Sequence, residues 1–182
     1  ITFFTIIITL NIIPTYMDIG LAFRDAFFQV SSIITTTGFI TADYNLWPKL
    51  SQILIVLLML TGACAGSTGG GIKVYRVLTL FKSSINNLKR IFYPHSINSI
   101  KVDDEYVDRD TIDGIQTYFF IYVIILIASI ILLSLDSLDL VSMFTSVVTC
   151  LGNVGPGLGE IVGPVGNFSS LSDISKLTLI FD

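Results

Sequence analysis

Apolar residues form long runs along the chain, and short polar or glycine-rich stretches separate these runs. Residues 1–13, 50–60 and 116–135 predict parts of transmembrane helices, and the third of them is an uninterrupted apolar span. Residues 21–34 and 140–151 have apolar positions at helical spacing but are too short to cross a bilayer. They are typical of re-entrant pore helices, because helix ends inside a membrane need polar partners from protein, water or an ion.

A short, uncharged polar stretch follows the first of these pore helices. It reads Ser-Ser-Ile-Ile-Thr-Thr-Thr-Gly-Phe over residues 31–39. Threonine and glycine in extended or left-handed conformations can direct successive carbonyl oxygens at a dehydrated cation. We therefore predict that this stretch is the polar strand of an ion filter, rather than only the threonine-rich end of a helix in an ordinary transporter.

A glycine-rich segment interrupts the second predicted span. Residues 62–71 contain five glycines in ten positions, and each glycine costs a helix about 1 kcal/mol relative to alanine. An unwound segment at membrane depth must be buried in protein or line a water-filled cavity. The composition of the segment favours its interpretation as a gate, because a gate needs two arrangements of similar free energy. Close helix packing through Gly-xxx-Gly spacing is the alternative explanation of the same glycines. A phosphate-binding loop is disfavoured because Ile72 stands where its lysine is needed.

The order of span, short helix, polar strand and span occurs twice. A shift of 117 residues places the polar strand at 35–38 on residues 152–155. We predict a first unit over residues 1–91 with a partial first span and an interrupted last span, a connector over 92–115, and a second unit over 116–182 with a partial last span. Both units have the same topology, which suits a pore axis normal to the membrane, and at least two more units are needed to enclose such a pore.

The composition is that of an integral membrane protein. Apolar residues make up 52% of the chain and charged residues 13%, and the mean hydropathy is +0.80. The sequence does not begin with methionine and both of its ends fall in apolar runs, so we expect a fragment of a longer protein. Cys64 and Cys150 have apolar or glycine-rich neighbours, and we expect buried free thiols rather than metal ligands.

Positive charges are concentrated in one part of the chain. Seven of the ten lysines and arginines lie between Lys73 and Arg109, which predicts that residues 73–113 face the cytoplasm. The opposite side then carries more acidic than basic residues, which raises the local cation concentration there. We also expect Trp47 to face the membrane interface as part of an aromatic belt.

Three motifs together carry a resemblance to a known family. They are residues 31–39, Gly-Ala-Cys-Ala-Gly-Ser-Thr-Gly-Gly-Gly-Ile-Lys-Val-Tyr-Arg over 62–76, and Gly-Asn-Val-Gly-Pro-Gly-Leu-Gly over 152–159. In this order they resemble the TrkH/KtrB superfamily of potassium uptake proteins, over essentially the whole chain. The resemblance implies an all-α integral membrane protein in which four M1–pore helix–M2 units surround one potassium-channel-like pore. This chain then looks like the third unit and most of the fourth.

The resemblance also implies roles for individual residues. Two filter strands are implied, Thr35, Thr36, Thr37 and Gly38 in one unit and Gly152, Asn153, Val154 and Gly155 in the other, with K⁺ at Thr36, Thr37, Asn153 and Val154. The implied gate loop beneath the filter consists of Gly62, Ala63, Cys64, Ala65, Gly66, Ser67, Thr68, Gly69, Gly70 and Gly71. The implied function is K⁺ uptake across the plasma membrane, with no cofactor besides the transported ion. The implied partners are the membrane, a second copy of the full-length protein and cytoplasmic nucleotide-binding regulatory subunits, with no nucleic acid.

Three other classes of protein fit parts of the pattern. A secondary transporter with broken helices, carrying another cation or solute, also uses glycine breaks at mid-membrane but usually has inverted repeats. A homotetrameric channel needs one filter per chain, whereas this chain has two dissimilar strands. A membrane-embedded enzyme needs ionisable residues within its spans, and residues 53–60 and 116–135 contain no Asp, Glu, Lys, Arg or His. We therefore expect a transport protein and not an enzyme.

Overall fold

The computed structural model describes residues 1–62, 69–92, 101–102 and 105–182 of the chain. Helices dominate this described part. They are α1 (Thr2–Tyr16), α2 (Ile19–Ile34), α3 (Lys49–Leu60), α4 (Val74–Phe92), α5 (Arg109–Leu133), α6 (Leu140–Leu151) and α7 (Asp173–Phe181), with 3-10 helices at Tyr44–Leu46 and Phe168–Ser170. Two small sheets complete it: β1 (Thr61–Gly62) pairs with β2 (Ile72–Lys73) in parallel, and β3 (Lys101–Val102) pairs with β4 (Glu105–Tyr106) in antiparallel.

The first unit is built from α1, α2 and α3 around a common apolar core. α2 begins at Ile19 because the Asp18 carboxylate accepts hydrogen bonds from the N–H groups of Gly20 (2.7 Å) and Leu21 (3.3 Å). The buried positions recur every three or four residues along the helices, as in Ile8 and Ile12 of α1 and in Ala22, Ala26, Val30 and Ile33 of α2. This packing holds the C-terminal end of α2, where the polar strand begins.

The second span is interrupted as the glycine content predicts. The parallel pairing sets Thr61 beside Ile72 and Gly62 beside Lys73, so the chain runs in the same direction on both sides of the interruption. α4 begins at Val74, because Ile72 and Lys73 belong to this pairing. The interrupted span therefore keeps one direction from α3 to α4.

The second unit starts with α5, which is the one helix of the described residues that is long and apolar enough to cross a membrane. Three shorter apolar helices, α1, α3 and α6, fall below the length of a full span. α5 begins at Arg109, before the apolar run at Gln116, so its first two turns extend beyond the apolar span. α6 has the bounds that the sequence pattern predicts, and Asp139 caps its start by accepting from the N–H of Ser142 (3.2 Å).

The two units coincide under the predicted shift of 117 residues. α1 ends at Tyr16 and α5 at Leu133, and α2 ends at Ile34 and α6 at Leu151. Beyond the filter strands the shift becomes 124 residues, which places the 3-10 helix at Tyr44–Leu46 on that at Phe168–Ser170. The second unit therefore has seven extra residues in the loop after its filter strand.

Trp47 does not face lipid. Its side chain is buried, it packs against the ring of Tyr44 at 6.3 Å between centroids, and its Nε1–H donates to the hydroxyl of Tyr16 (3.3 Å). The expectation of a tryptophan in an aromatic belt is therefore wrong. A sequence pattern places Trp47 before a span, but only the tertiary contacts of α1 and the loop decide that it is covered by protein.

Candidate ion filter and the loop beneath it

The first predicted filter strand is tied back to the end of α2. The N–H of Thr36 donates to Ile33 O (3.0 Å), and the N–H of Thr37 donates to Ser32 O (2.9 Å). These bonds close the last turn of the helix and use the N–H groups of the strand. The carbonyl groups of the strand are thereby left for other partners.

The second strand leaves α6 with the same hydrogen bonds. The N–H of Asn153 donates to Cys150 O (2.9 Å), and the N–H of Val154 donates to Thr149 O (2.9 Å). Donors and acceptors are both displaced by 117 residues from those of the first unit. Two stretches with almost no side-chain identity therefore adopt one backbone design.

Both strands contain residues with positive φ, a backbone conformation that is rare for residues other than glycine. These residues lie at matching positions of the two strands. Thr36 has φ 53° and Asn153 has φ 49°, and two residues later Gly38 has φ 76° and Gly155 has φ 114°. A β-branched residue such as Thr36 is strained in the left-handed region, at a cost on the order of 1–2 kcal/mol. The alternation changes the direction of successive peptide groups. Within the described residues, no hydrogen bond ends on the carbonyl oxygens of Thr36, Thr37, Asn153 or Val154.

A side-chain hydroxyl on each pore helix holds the outer end of its own strand. Ser32 Oγ donates to Phe39 O (2.7 Å) in the first unit, and Thr149 Oγ1 donates to Pro156 O (3.1 Å) in the second. The two donors and the two acceptors are again 117 residues apart. No motif singles out this pair, although the repeat shift places a hydroxyl at both positions.

The two filter strands touch each other. A Cβ atom added at Gly38 would overlap the backbone oxygen of Val154, and one added at Gly155 would lie 3.8 Å from the Cα of Gly38. The structure thus brings the predicted filter residues of both units together at their glycines. Uncommitted carbonyl oxygens from two chain segments, side by side and free of charge, can replace part of the hydration shell of a cation.

Buried polar groups support the loops outside the strands. The amide of Gln29 on α2 is fully buried, and its oxygen, assigned by its hydrogen-bond partners, accepts from the N–H groups of Thr41 (2.8 Å) and Ala42 (3.1 Å). Tyr44 is also fully buried, and desolvation together with the nearby Asp43 carboxylate raises the pKa of its hydroxyl well above the usual range. Tyr44 therefore stays a hydrogen-bond donor at any physiological pH.

The described part of the predicted gate loop lies against the second filter strand. A Cβ atom added at Gly70 would overlap the backbone oxygen of Gly152 and lie 3.1 Å from the Cβ of Asn153. One added at Gly62 would overlap the backbone oxygen of Gly70. Ala63, Cys64, Ala65, Gly66, Ser67 and Thr68 lie outside the described residues. Gly62, Gly70 and Gly71 thus form a tightly packed neck between the interrupted span and the start of the strand at Gly152.

Charged groups lie around the polar ends of the units. The N–H of Ser172 donates to Asp136 Oδ2 (3.0 Å), and this bond, with the hydroxyls of Ser175 and Ser172, lowers the pKa of the exposed Asp136 carboxyl. Arg76 in α4 lies over the ring of Tyr118 in α5, with 4.2 Å from its guanidinium carbon to the ring centroid. The first contact joins the turn before α6 to α7, and the second joins the interrupted span to α5.

The profile of the family described as "TrkH: Cation transport protein" matches residues 2–182. The chain belongs to this family. It is 37% identical over 165 residues to the Trk system potassium uptake protein TrkH of Escherichia coli K12, which covers 91% of this chain and 34% of that protein. It is 39% identical over 157 residues to the protein of the same name from Salmonella typhimurium, covering 86% of this chain and 32% of that protein. The chain thus spans about a third of the length of these relatives.

The fold is similar to that of a solved TrkH-family structure. The crystal structure of the potassium transporter TrkH from Vibrio parahaemolyticus superimposes with a TM-score of 0.87 at 31% sequence identity, over 99% of this chain and 38% of that chain. The predicted fold class, an all-α membrane protein of repeated M1–pore helix–M2 units, and the predicted family are therefore confirmed. The assignment of individual filter and gate residues stays a prediction.

Proposed function

We propose that this chain supplies two of the units that surround the pore of a K⁺ uptake protein in the plasma membrane. The observation that carries the proposal is the repeated filter geometry, in which Thr36 and Asn153, and then Gly38 and Gly155, have positive φ at matching positions. Strain that recurs at matching positions of two stretches with different side chains points to a functional site. The relatives named potassium uptake proteins support K⁺ as the ion.

In this proposal K⁺ binds to backbone oxygens of Thr36, Thr37, Asn153 and Val154. These oxygens accept no hydrogen bond within the described residues, and their strands contact each other at Gly38. Thr35 and Gly152 end the pore helices and complete the two strands. K⁺ is the transported ion and not a cofactor, and the chain has no catalytic role.

The glycine-rich loop is proposed to gate conduction from below. Gly70 lies directly against Gly152, so this part of the loop contacts the start of the second filter strand. The parallel pairing of Thr61–Gly62 with Ile72–Lys73 holds both ends of the loop at one level. Loops with several small residues have the two arrangements of similar free energy that a gate needs.

The orientation and the partners follow from charge and family. Residues 73–113 are proposed to be cytoplasmic because seven of the ten lysines and arginines lie between Lys73 and Arg109. This face would meet the nucleotide-binding regulatory subunits, and the full-length protein would form a homodimer. A broken-helix secondary transporter is the other candidate, but the two units repeat with the same topology, whereas such transporters usually have inverted repeats.

The test is Gly38→Ser in the full-length protein, expressed in cells that lack other K⁺ uptake. A side chain at Gly38 is strained at φ 76° and overlaps the Val154 oxygen, so the filter should widen and discriminate less well. We expect the preference for K⁺ over Na⁺ to fall about tenfold, equivalent to about 1.4 kcal/mol. The preference is measured as ⁸⁶Rb⁺ uptake with Na⁺ as competitor.

Gly114→Ser is the matched control for this variant. A Cβ atom at Gly114 in α5 meets nothing within 4 Å, so the same substitution there should leave the ion preference unchanged. An unchanged preference in well-expressed Gly38→Ser protein would reject the filter assignment and favour the broken-helix transporter.

A further inference from the structure

The loop after the second filter strand is held by the first unit. Asn45 Nδ2 donates to Gly159 O (3.0 Å), and the N–H of Gly159 donates to Asn45 Oδ1 (3.0 Å). Beside this pair, the Tyr44 hydroxyl donates to Gly157 O (2.9 Å) in a fully buried contact. We call these three hydrogen bonds the Asn45 clasp. It joins residues that are more than 110 positions apart in the sequence.

The clasp is fixed from the side of the first unit. The N–H of Asn45 donates to Asp43 Oδ1 (3.0 Å), and the carbonyl oxygen of Asn45 accepts from Gln52 Nε2 (2.6 Å). Lys49 Nζ in turn donates to Gln52 Oε1 (3.1 Å). Because both backbone groups of Asn45 are hydrogen-bonded, the backbone from which its amide reaches Gly159 is held in place.

The clasp is also connected to the filter strand on the side of the second unit. Thr145 Oγ1 on α6 accepts from the N–H of Leu158 (2.9 Å), and Thr149 Oγ1 on the same helix donates to Pro156 O (3.1 Å). Every residue from Pro156 to Gly159 thus has a hydrogen bond to α6 or to the clasp. Gly159 is therefore connected through three hydrogen-bonded residues to Gly155, where the strand meets Gly38.

The second unit repeats the scaffold of the clasp without its functional side chain. Ser169 occupies the position of Asn45 under the shift of 124 residues, its N–H donates to Asn167 Oδ1 (3.0 Å), and its carbonyl oxygen accepts from Lys176 Nζ (2.9 Å). Among the described residues, the short side chain of Ser169 bonds only to Asn167 in its own turn. Stability of the 3-10 helix therefore does not require an amide at this position, and the amide of Asn45 has a separate role.

We propose that Asn45 and Tyr44 are positioning residues that set the ion selectivity of the second filter strand, although they belong to the first unit and their hydrogen bonds to the second unit go to Gly157 and Gly159, after that strand. This inference rests on the proposed function, in which residues 152–155 bind K⁺. Selectivity depends on where carbonyl oxygens are held, and the clasp fixes the outer end of the strand against the neighbouring unit. The selectivity of one filter strand is thereby set in part by the unit next to it.

The test uses Asn45→Ala, Asn45→Ser and Tyr44→Phe in the full-length protein. Each removes hydrogen bonds of the clasp and leaves the filter sequence intact. The K⁺ concentration for half-maximal ⁸⁶Rb⁺ uptake should rise about three- to tenfold, and Na⁺ should compete more strongly by a similar factor. Asn45→Ser introduces the residue that the second unit has at the matching position. If Asn45→Ala lowers the amount of protein in the membrane, Asn45→Ser still tests the role of the amide.

Ser169→Ala and Gly38→Ser are the controls. Ser169→Ala alters the matching position of the other unit and should change neither the K⁺ concentration for half-maximal uptake nor Na⁺ competition. A clasp variant with a merely structural effect would lower the maximal rate of uptake without changing Na⁺ competition. Should the clasp variants keep parental half-saturation and Na⁺ competition while Gly38→Ser loses selectivity, the inference is overturned and the filter stands. Parental behaviour of Gly38→Ser as well would reject the proposed function itself.

Discussion

Single residues at the filter carry strain that their neighbours hold in place. Thr36 is β-branched and left-handed, and its conformation persists because the N–H bonds to α2 on one side and the Ser32 bond to Phe39 on the other fix the strand. Asn153 adopts the same conformation at lower cost, because its short polar side chain tolerates it. The hydroxyls of Ser32 and Thr149 are the side chains that both units share for this purpose.

We predict that Ser32→Ala and Thr149→Val each raise the K⁺ concentration for half-maximal uptake about three- to fivefold. Each loses one hydrogen bond to a filter-end carbonyl, worth about 1 kcal/mol. Ser32→Thr and Thr149→Ser keep the hydroxyl and should retain near-parental affinity. The measurement is the concentration dependence of ⁸⁶Rb⁺ uptake at matched protein levels in the membrane.

Ser146→Ala is a suitable control for Thr149→Val, because both residues lie on α6. Its hydroxyl is also fully buried, but it donates to Met143 O within α6 and does not reach the filter strand. An equal loss of affinity in Ser146→Ala would mean that burial of hydroxyls, and not support of the strand, explains the effect.

The elements were predictable where a local signal marks their ends. α6 has its predicted bounds, since Asp139 caps its start and Gly152 follows its end. The start of α4 has no such local signal, because it depends on the pairing of Ile72 and Lys73 with Thr61 and Gly62 across the glycine-rich segment. Neither periodicity nor motif reveals that the Asn45 amide hydrogen-bonds to Gly159. The expected position of Trp47 in an aromatic belt is wrong because its burial also depends on tertiary contacts. The sequence thus predicts the strands of the filter but not what supports them.

At the scale of the glycine-rich loop, we predict that deletion within residues 66–70 raises ⁸⁶Rb⁺ uptake while the preference for K⁺ over Na⁺ is kept. In the proposed function the loop restricts conduction, so shortening it should relieve that restriction, whereas the two strands keep their own hydrogen bonds to α2 and α6. Gly70→Ala should also raise ⁸⁶Rb⁺ uptake, but by less than the deletion. The added Cβ overlaps the Gly152 oxygen and displaces the neck of the loop.

Gly114→Ala, in an open position of α5, should leave uptake at the parental level. Unchanged or reduced uptake in a well-expressed deletion variant would show that the glycines serve helix packing and not gating.

In the whole molecule, the two units have one backbone design and meet at the filter. Gly38 lies against Val154 in the first contact between the strands, and the Asn45 clasp forms a second contact further out. The units also differ, since the loop after the second strand is seven residues longer and supplies the segment that the first unit holds. A pore assembled from such unequal strands gives each of them its own support.

The central claim is that K⁺ binds to the carbonyl groups of these two strands. Crystals of the full-length protein grown with Rb⁺ in place of K⁺ would show the ion by its anomalous scattering. We predict an anomalous peak on the pore axis in contact with the carbonyl oxygens of Thr36, Thr37, Asn153 and Val154. Rb⁺ bound elsewhere along the transport path, with no peak between the two strands, would contradict the account.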